Sequence, residues 1–204
     1  HGFLTFNGEK ISKSLGNSIS PNVLVEKYSA DTVRYFSLRQ FPFASGEDGD
    51  FDERALIERH NNELADKLGN LVSRVCALAE KYGIEKTQIK ELNSKQTYKT
   101  VASHLDNYEL DKALNEIFSL VDKSNEYIQK TQPWKSGDKK ILYELSSAIK
   151  DIAILLSPFI PNTTERIAST FNFKISLKEL ETPLKVTKIK KSDKLLDVGC
   201  GTGF

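Results

Sequence analysis

Asn62-Glu63-Leu64-Ala65-Asp66-Lys67-Leu68-Gly69-Asn70-Leu71-Val72-Ser73-Arg74-Val75-Cys76-Ala77-Leu78-Ala79-Glu80-Lys81-Tyr82 is the stretch that decides the fold. Leu64, Leu68, Leu71, Val72, Val75, Leu78, Ala79 and Tyr82 follow the i, i+3, i+4, i+7 template, which lays one apolar stripe along a helix. Carried back to Asp52 and stopped by Gly83, the pattern predicts one long amphipathic helix. Such a stripe has to be covered by other elements. Three further patterns downstream can cover it. After a polar connector from Lys86 to Thr97, Leu110, Ala113, Leu114, Ile117, Phe118, Val121 and Ile128 make a second stripe. Thr131-Gln132-Pro133-Trp134 ends it, because proline has no N–H and biases its predecessor away from helix. Ile141, Leu142, Leu145, Ala148, Ile149, Ile152, Ala153, Leu155 and Leu156 form a third, up to Pro158. Ile167, Ala168 and Phe171 form a last one after Pro161. Four helices with short connections predict an antiparallel bundle over about residues 52 to 173.

Upstream the pattern changes. His1-Gly2-Phe3-Leu4-Thr5-Phe6 is β-prone and runs into Asn7-Gly8, a strong hairpin turn dipeptide. Ser20-Pro21 starts a short helix carrying Val23, Leu24 and Tyr28, and Ser29 or Asp31 caps another with Val33, Tyr35, Phe36 and Leu38 inward. Between Phe41 and Asp52, Pro42, Gly46 and Gly49 interrupt periodicity while Glu47, Asp48 and Asp50 keep the segment wet, so a domain junction is placed there. The expected division is residues 1–45, 46–175 and a lysine-rich tail, 176–204.

Lys+Arg 29 against Asp+Glu 28 leave a formal charge of +1, so any contact with nucleic acid must be local rather than driven by a global field. A hydrophobic share of 39% supports a real core and excludes disorder. Cys76 and Cys200 lack the spacing of a zinc site or a disulfide framework, and no apolar run approaches the roughly 20 residues of a membrane helix. These features predict a cytoplasmic protein with no membrane partner. The chain starts at His1 and has no methionine, and it is read as a piece of a longer product.

Candidate chemistry sits in two places. In Asn7-Gly8-Glu9-Lys10-Ile11-Ser12-Lys13-Ser14-Leu15-Gly16-Asn17, two lysines and two serines crowd between glycines. Lysine brings a compact movable charge, serine brings neutral donors, and glycine allows a tight turn, which together suit a phosphate; a solvated surface turn is the plain alternative. Asn70 and Arg74, one helical turn apart, share a face and form either a polar patch for a base edge or phosphate, or ordinary solvated positions. Trp134, the single tryptophan, either stacks on an unpaired base or anchors its loop. Asn125 reads as a structural residue tying down the following loop. His1, His60 and His104 are too scattered for a metal or acid–base site, and no metal site is expected.

In sequence order these motifs resemble those of class I aminoacyl-tRNA synthetases. His1-Gly2-Phe3-Leu4 followed by Lys10-Ile11-Ser12-Lys13-Ser14 is similar to their Lys-Met-Ser-Lys-Ser signature, with isoleucine in the variable second place. Asp31-Thr32-Val33-Arg34-Tyr35-Phe36, Gly49-Asp50-Phe51, Asn62-Glu63-Leu64-Ala65, Leu68-Gly69-Asn70-Leu71-Val72-Ser73-Arg74, Asn125-Glu126-Tyr127-Ile128, Pro133-Trp134 and Pro158-Phe159-Ile160-Pro161 narrow the resemblance to the methionyl-tRNA synthetases. It implies a mainly α chain: the end of a Rossmann-type catalytic domain with its signature loop, then a helical-bundle anticodon-binding domain. It further implies ATP, with Mg2+, and methionine and tRNA(Met) as partners. By the same resemblance Lys13 would hold the ATP phosphates, Lys10 and Ser12 would support the loop, and Asn70, Arg74 and Trp134 would meet the anticodon. A sibling enzyme for leucine, isoleucine, valine or cysteine, or a non-catalytic tRNA-binding module, shares part of this pattern. The family's nucleotide-binding core and methionine pocket would lie before His1. The ending Leu195-Leu196-Asp197-Val198-Gly199-Cys200-Gly201-Thr202-Gly203-Phe204 resembles instead the opening glycine turn of a methyltransferase.

Overall fold

Residues 3–6, 8–12, 20–41, 46–180 and 182–184 are described by the computed structural model. Three short strands, β1 (Leu4–Phe6), β2 (Glu9–Lys10) and β3 (Gly49–Phe51), form a sheet in the order β2-β1-β3. β1 turns back antiparallel onto β2 through Gly8, whose φ of 77° suits a residue without a side chain. β3 joins β1 in parallel, Leu4 opposite Gly49 and Phe6 opposite Phe51. The stretch between Phe41 and Asp52, wet in composition, therefore contains a strand. Gly49 is required there: its N–H donates to the Phe3 carbonyl at 2.9 Å, and a Cβ on it would sit 2.5 Å from the Phe41 ring.

Two helices follow the loop, α1 (Pro21–Tyr28) and α2 (Ala30–Gln40). Leu24, Tyr28 and Phe36 from them meet Phe51 and Leu56 in a small core of their own. The Ser29 side chain accepts from the Thr32 N–H at 3.3 Å and caps α2.

The long helix expected from Asp52 to Gly83 is present, but it is not uniform. The Asp52 carboxylate caps its start at 2.8 Å from the Arg54 N–H. α3 (Glu53–Arg59) then widens into a π-helical segment, His60–Gly69, and tightens again into α4 (Asn70–Tyr82), with helical backbone angles at both joins. A Cβ at Gly69 would lie 3.2 Å from the Leu64 carbonyl oxygen, so glycine eases the wide turn. Asn125 donates from Nδ2 to the Lys67 carbonyl at 3.2 Å. Its partner is thus the π-helical segment across the bundle and not the loop that follows it.

The bundle continues with α5 (Lys95–Asp106), α6 (Leu110–Thr131), the single turn α7 (Pro133–Ser136), α8 (Lys139–Leu156) and α9 (Pro161–Phe171). α5 is one helix more than the four stripes predict. Only Val101 of it is fully buried, with Tyr98 and Leu105 packed at the core's edge, so its stripe is too thin to read as periodicity. Gln132, at φ 46°, ends α6 ahead of Pro133. α9 begins at Pro161 without a cap of its own; Asp31 on α2 supplies one, its buried carboxylate accepting from the Thr163 N–H at 2.6 Å and the Asn162 side chain at 3.1 Å.

α8 runs through the middle of the bundle, and every residue from Leu142 to Leu156 is buried. That includes its polar side. The Glu144 carboxylate accepts from the backbone N–H of Lys90 at 2.9 Å and of Glu91 at 3.2 Å, and Asp151 accepts from the Ser94 hydroxyl at 2.6 Å. Lys150, 1% exposed, pairs with Asp151 at 2.8 Å and donates to the carbonyls of Glu179 and Thr182. The connector between α4 and α5 and the segment after α9 are both fastened to this helix by its charges.

Candidate functional site

The phosphate reading starts from the β1–β2 hairpin. Asp50 on β3 accepts from the Thr5 hydroxyl at 2.7 Å and the Gly8 N–H at 2.8 Å, so one carboxylate fixes the turn, and Asp48 accepts from the Phe3 N–H at 2.7 Å. Lys10 is exposed at the end of β2 and Ser12 half-buried just beyond it. A fixed turn followed by an ammonium and a hydroxyl has donor chemistry suited to phosphate oxygens. Lys13 and Ser14 lie outside the described residues. Among the described residues no three His, Cys, Asp or Glu side chains come together to hold a metal.

Asn70 and Arg74 open α4 directly after the π-helical segment, on one face as their spacing predicts. Asn70 is exposed and Arg74 half-buried. The Arg74 guanidinium lies over the Trp134 ring, 5.5 Å from its centroid, a cation–π contact across two helices. The side-chain amide of Gln129, in the last turns of α6, lies against Arg74, and the orientation that satisfies both groups puts its oxygen toward the guanidinium, accepting from Nη1 at 3.1 Å and Nη2 at 3.2 Å. Trp134 itself is half-buried on the core's edge, and the Tyr82 hydroxyl donates to its carbonyl at 3.2 Å. The ring is therefore both an anchor of its turn and partly open. Exposed Lys81, Lys130 and Lys135 flank the cluster in sequence, interleaved with Glu80, Glu126 and Asp138.

The folded chain brings Asn70, Arg74 and Trp134 to one place and leaves Lys10 and Ser12 in another, on the sheet. Sequence reasoning missed Gln129 and Tyr82. Gln129 follows Asn125 by one helical turn, a shared face that could have singled it out.

A polar network joins α2 to the long helix and to α6. Glu63 in the π-helical segment accepts from Tyr35 and Arg39 of α2 and pairs with Arg59 at 3.4 Å. Burial alone would raise the Glu63 pKa, but hydrogen bonds from Arg39 and Tyr35 and the charges of Arg39 and Arg59 hold it below the ordinary range. Burial foremost, then Glu63, pushes the Tyr35 hydroxyl far up. Arg39 also donates to the Asp111 carbonyl at 2.9 Å, which ties α2 to α6. The histidines stay apart, His60 on the Thr32 hydroxyl and His104 on Glu109.

The model for the anticodon-binding domain of tRNA ligases matches residues 89–198, more than half of the chain. The chain belongs to that family. A second model, for class I tRNA synthetases of the methionine group, matches residues 1–76. Among its relatives, the methionine–tRNA ligase of Clostridium tetani is 37% identical over 96% of this chain, and that of Caldanaerobacter subterraneus subsp. tengcongensis 40% identical over 82%. The aligned region is 34% and 29% of those proteins, so the chain spans about a third of the length of the tRNA ligases it matches. A solved structure of Mycobacterium tuberculosis methionyl-tRNA synthetase in complex with methionyl-adenylate superposes with a TM-score of 0.85 at 27% identity, over 93% of this chain and 41% of that one. A mainly helical chain, with the end of a class I catalytic domain leading into an anticodon-binding bundle, is thus the shared architecture. The anticodon-binding match runs on to residue 198, across most of the tail; the glycine motif at 195–204 lies outside the described residues.

Proposed function

We propose that this chain is the part of a cytoplasmic methionine–tRNA ligase that reads the anticodon of tRNA(Met) and contributes the ATP-phosphate loop. The observation that carries the reading is the Arg74–Trp134 contact with exposed Asn70 one turn away on the same helix. An indole backed by a guanidinium offers a stacking platform to a splayed base, Asn70 offers both donor and acceptor to a base edge, and Arg74 a charge to phosphate. At the sheet end, Lys10 and Ser12 support the loop and Lys13 binds the ATP phosphates and stabilises charge developing on the leaving pyrophosphate as methionyl-adenylate forms. The resemblance implies Mg2+ beside ATP. The division into residues 1–45, 46–175 and 176–204 follows the same reading.

The test is binding of a short RNA hairpin with the methionine anticodon CAU in its loop. Trp134→Ala should weaken binding by about 1–3 kcal/mol, the worth of one stacked base, while a hairpin with an unrelated loop binds poorly to both proteins. Equal binding of the two loops, or no effect of the substitution, would sink the anticodon reading. In an enzyme of the relatives' full length, Lys13→Ala should slow pyrophosphate exchange on the order of 10²- to 10³-fold; a normal rate would remove the phosphate role.

A further inference from the structure

Trp134 is held from two directions by one helix. Its ring faces Arg74, and its backbone is fixed eight positions further along α4, about 12 Å at 1.5 Å per residue, by Tyr82. The Tyr82 hydroxyl donates to the Trp134 carbonyl at 3.2 Å. The Tyr82 ring fills the space beside Gly137, where an added Cβ would come within 3.1 Å of it. Gly137 has φ 64° and Gln132 φ 46°, so two left-handed residues bracket the single turn of α7, and Pro133 fixes its first φ. Just past Tyr82, the Glu85 N–H donates to the Lys139 carbonyl at 3.1 Å, closing the far side of the turn. The turn thus has a shape set by its own backbone and a position set by Tyr82.

We propose that Tyr82 is a positioning residue for Trp134: it fixes the α7 turn so that the indole already lies against Arg74 before RNA arrives. The proposal rests on the reading of Trp134 as an RNA contact. Tyr82 itself does not touch the base; it removes the freedom that the turn would otherwise lose on binding, so its loss weakens affinity through Trp134 alone.

Because Trp134 is the chain's only tryptophan, its emission reports on this turn and nothing else. Tyr82→Phe, which keeps the ring and loses the hydroxyl, should raise acrylamide quenching of Trp134 about twofold with an unchanged far-ultraviolet circular dichroism spectrum, and should weaken the CAU hairpin about three- to tenfold, the range of one lost hydrogen bond. Gly137→Ala, which drives a methyl group toward the Tyr82 ring in a left-handed residue, should give the same two changes from the other side of the contact. Added to Trp134→Ala, Tyr82→Phe should cause no further loss of RNA affinity. Unchanged quenching in both variants, or a further loss on top of Trp134→Ala, would overturn the proposal. Normal RNA binding by Trp134→Ala alone would remove the anticodon reading, and the quenching of the free protein would still decide the role of Tyr82.

Discussion

α4 and α8 carry similar patterns and opposite surfaces. Both have an apolar stripe at helical spacing and a polar side with charged residues. In α4 that side holds Asn70 and Arg74, one exposed and the other half-exposed against Trp134 and Gln129. In α8 it holds Glu144, Lys150 and Asp151, all buried and all engaged with backbone or side chains of segments that wrap the helix. Polar residues opposite a stripe therefore do two jobs in one molecule. On the outer helix they reach the surface, where the proposed RNA contact would use them; on the central one they fasten irregular chain that has no ladder or stripe to hold it.

The largest expected effect follows from α8. Lys150→Met leaves Asp151 a buried charge without its partner and strands two strap carbonyls, and should cost about 3–5 kcal/mol in urea unfolding. Lys150→Met with Asp151→Leu should cost far less than the two separate losses added together, since no lone charge remains. CAU-hairpin affinity of the protein that stays folded should be unchanged; a loss specific to RNA binding would break the contrast between the helices. Next comes Glu63, which links α2 to the long helix. Its folded pKa is depressed, so its stabilisation is complete above the ordinary value of 4.5 and is lost as pH falls below that through the folded value. Glu63→Gln should lower stability by about 2 kcal/mol at neutral pH and flatten the fall in urea midpoint below about pH 4.5. An unaltered acid limb would dismiss Glu63 as its source. The smallest effect belongs to α4. Arg74→Lys keeps the charge but loses the planar group that covers the indole and spans the Gln129 oxygen, and should weaken the CAU hairpin by about 1 kcal/mol with unchanged urea midpoint.

The same contrast explains what could be read in advance. Leu64 to Tyr82 announced a long helix and Gly83 its end, because apolar spacing and a left-handed stop are local signals. The π-helical segment inside it was not legible: Asn125 acts only once its amide meets the Lys67 carbonyl across the bundle, and Gly69 matters only beside the Leu64 carbonyl of the segment already widened. α5 was missed because Val101 alone is too little stripe, and β3 because three residues between glycine and acidic positions carry little strand preference. At the candidate site, the resemblance named Asn70, Arg74 and Trp134, and the fold assembles them. Tyr82 and Gln129 stayed hidden since what singles them out is their contact with Trp134 and with Arg74, which is a property of distances and not of residue type.

The cap that Asp31 places on α9 joins residues 131 and 132 positions apart. It closes most of the described chain into one loop, so the cap on α9 forms only after α2 has found it, and the contact belongs to the late, non-local part of folding. Excision at residue 46 would remove Asp31, Arg34 and Arg39 together, leaving the first N–H groups of α9 and the Pro158 carbonyl without their partners. A bundle cut there should fray at α9 under hydrogen exchange while its central helix stays protected. The end of the bundle at α9 therefore draws its capping groups from α2, upstream of residue 46.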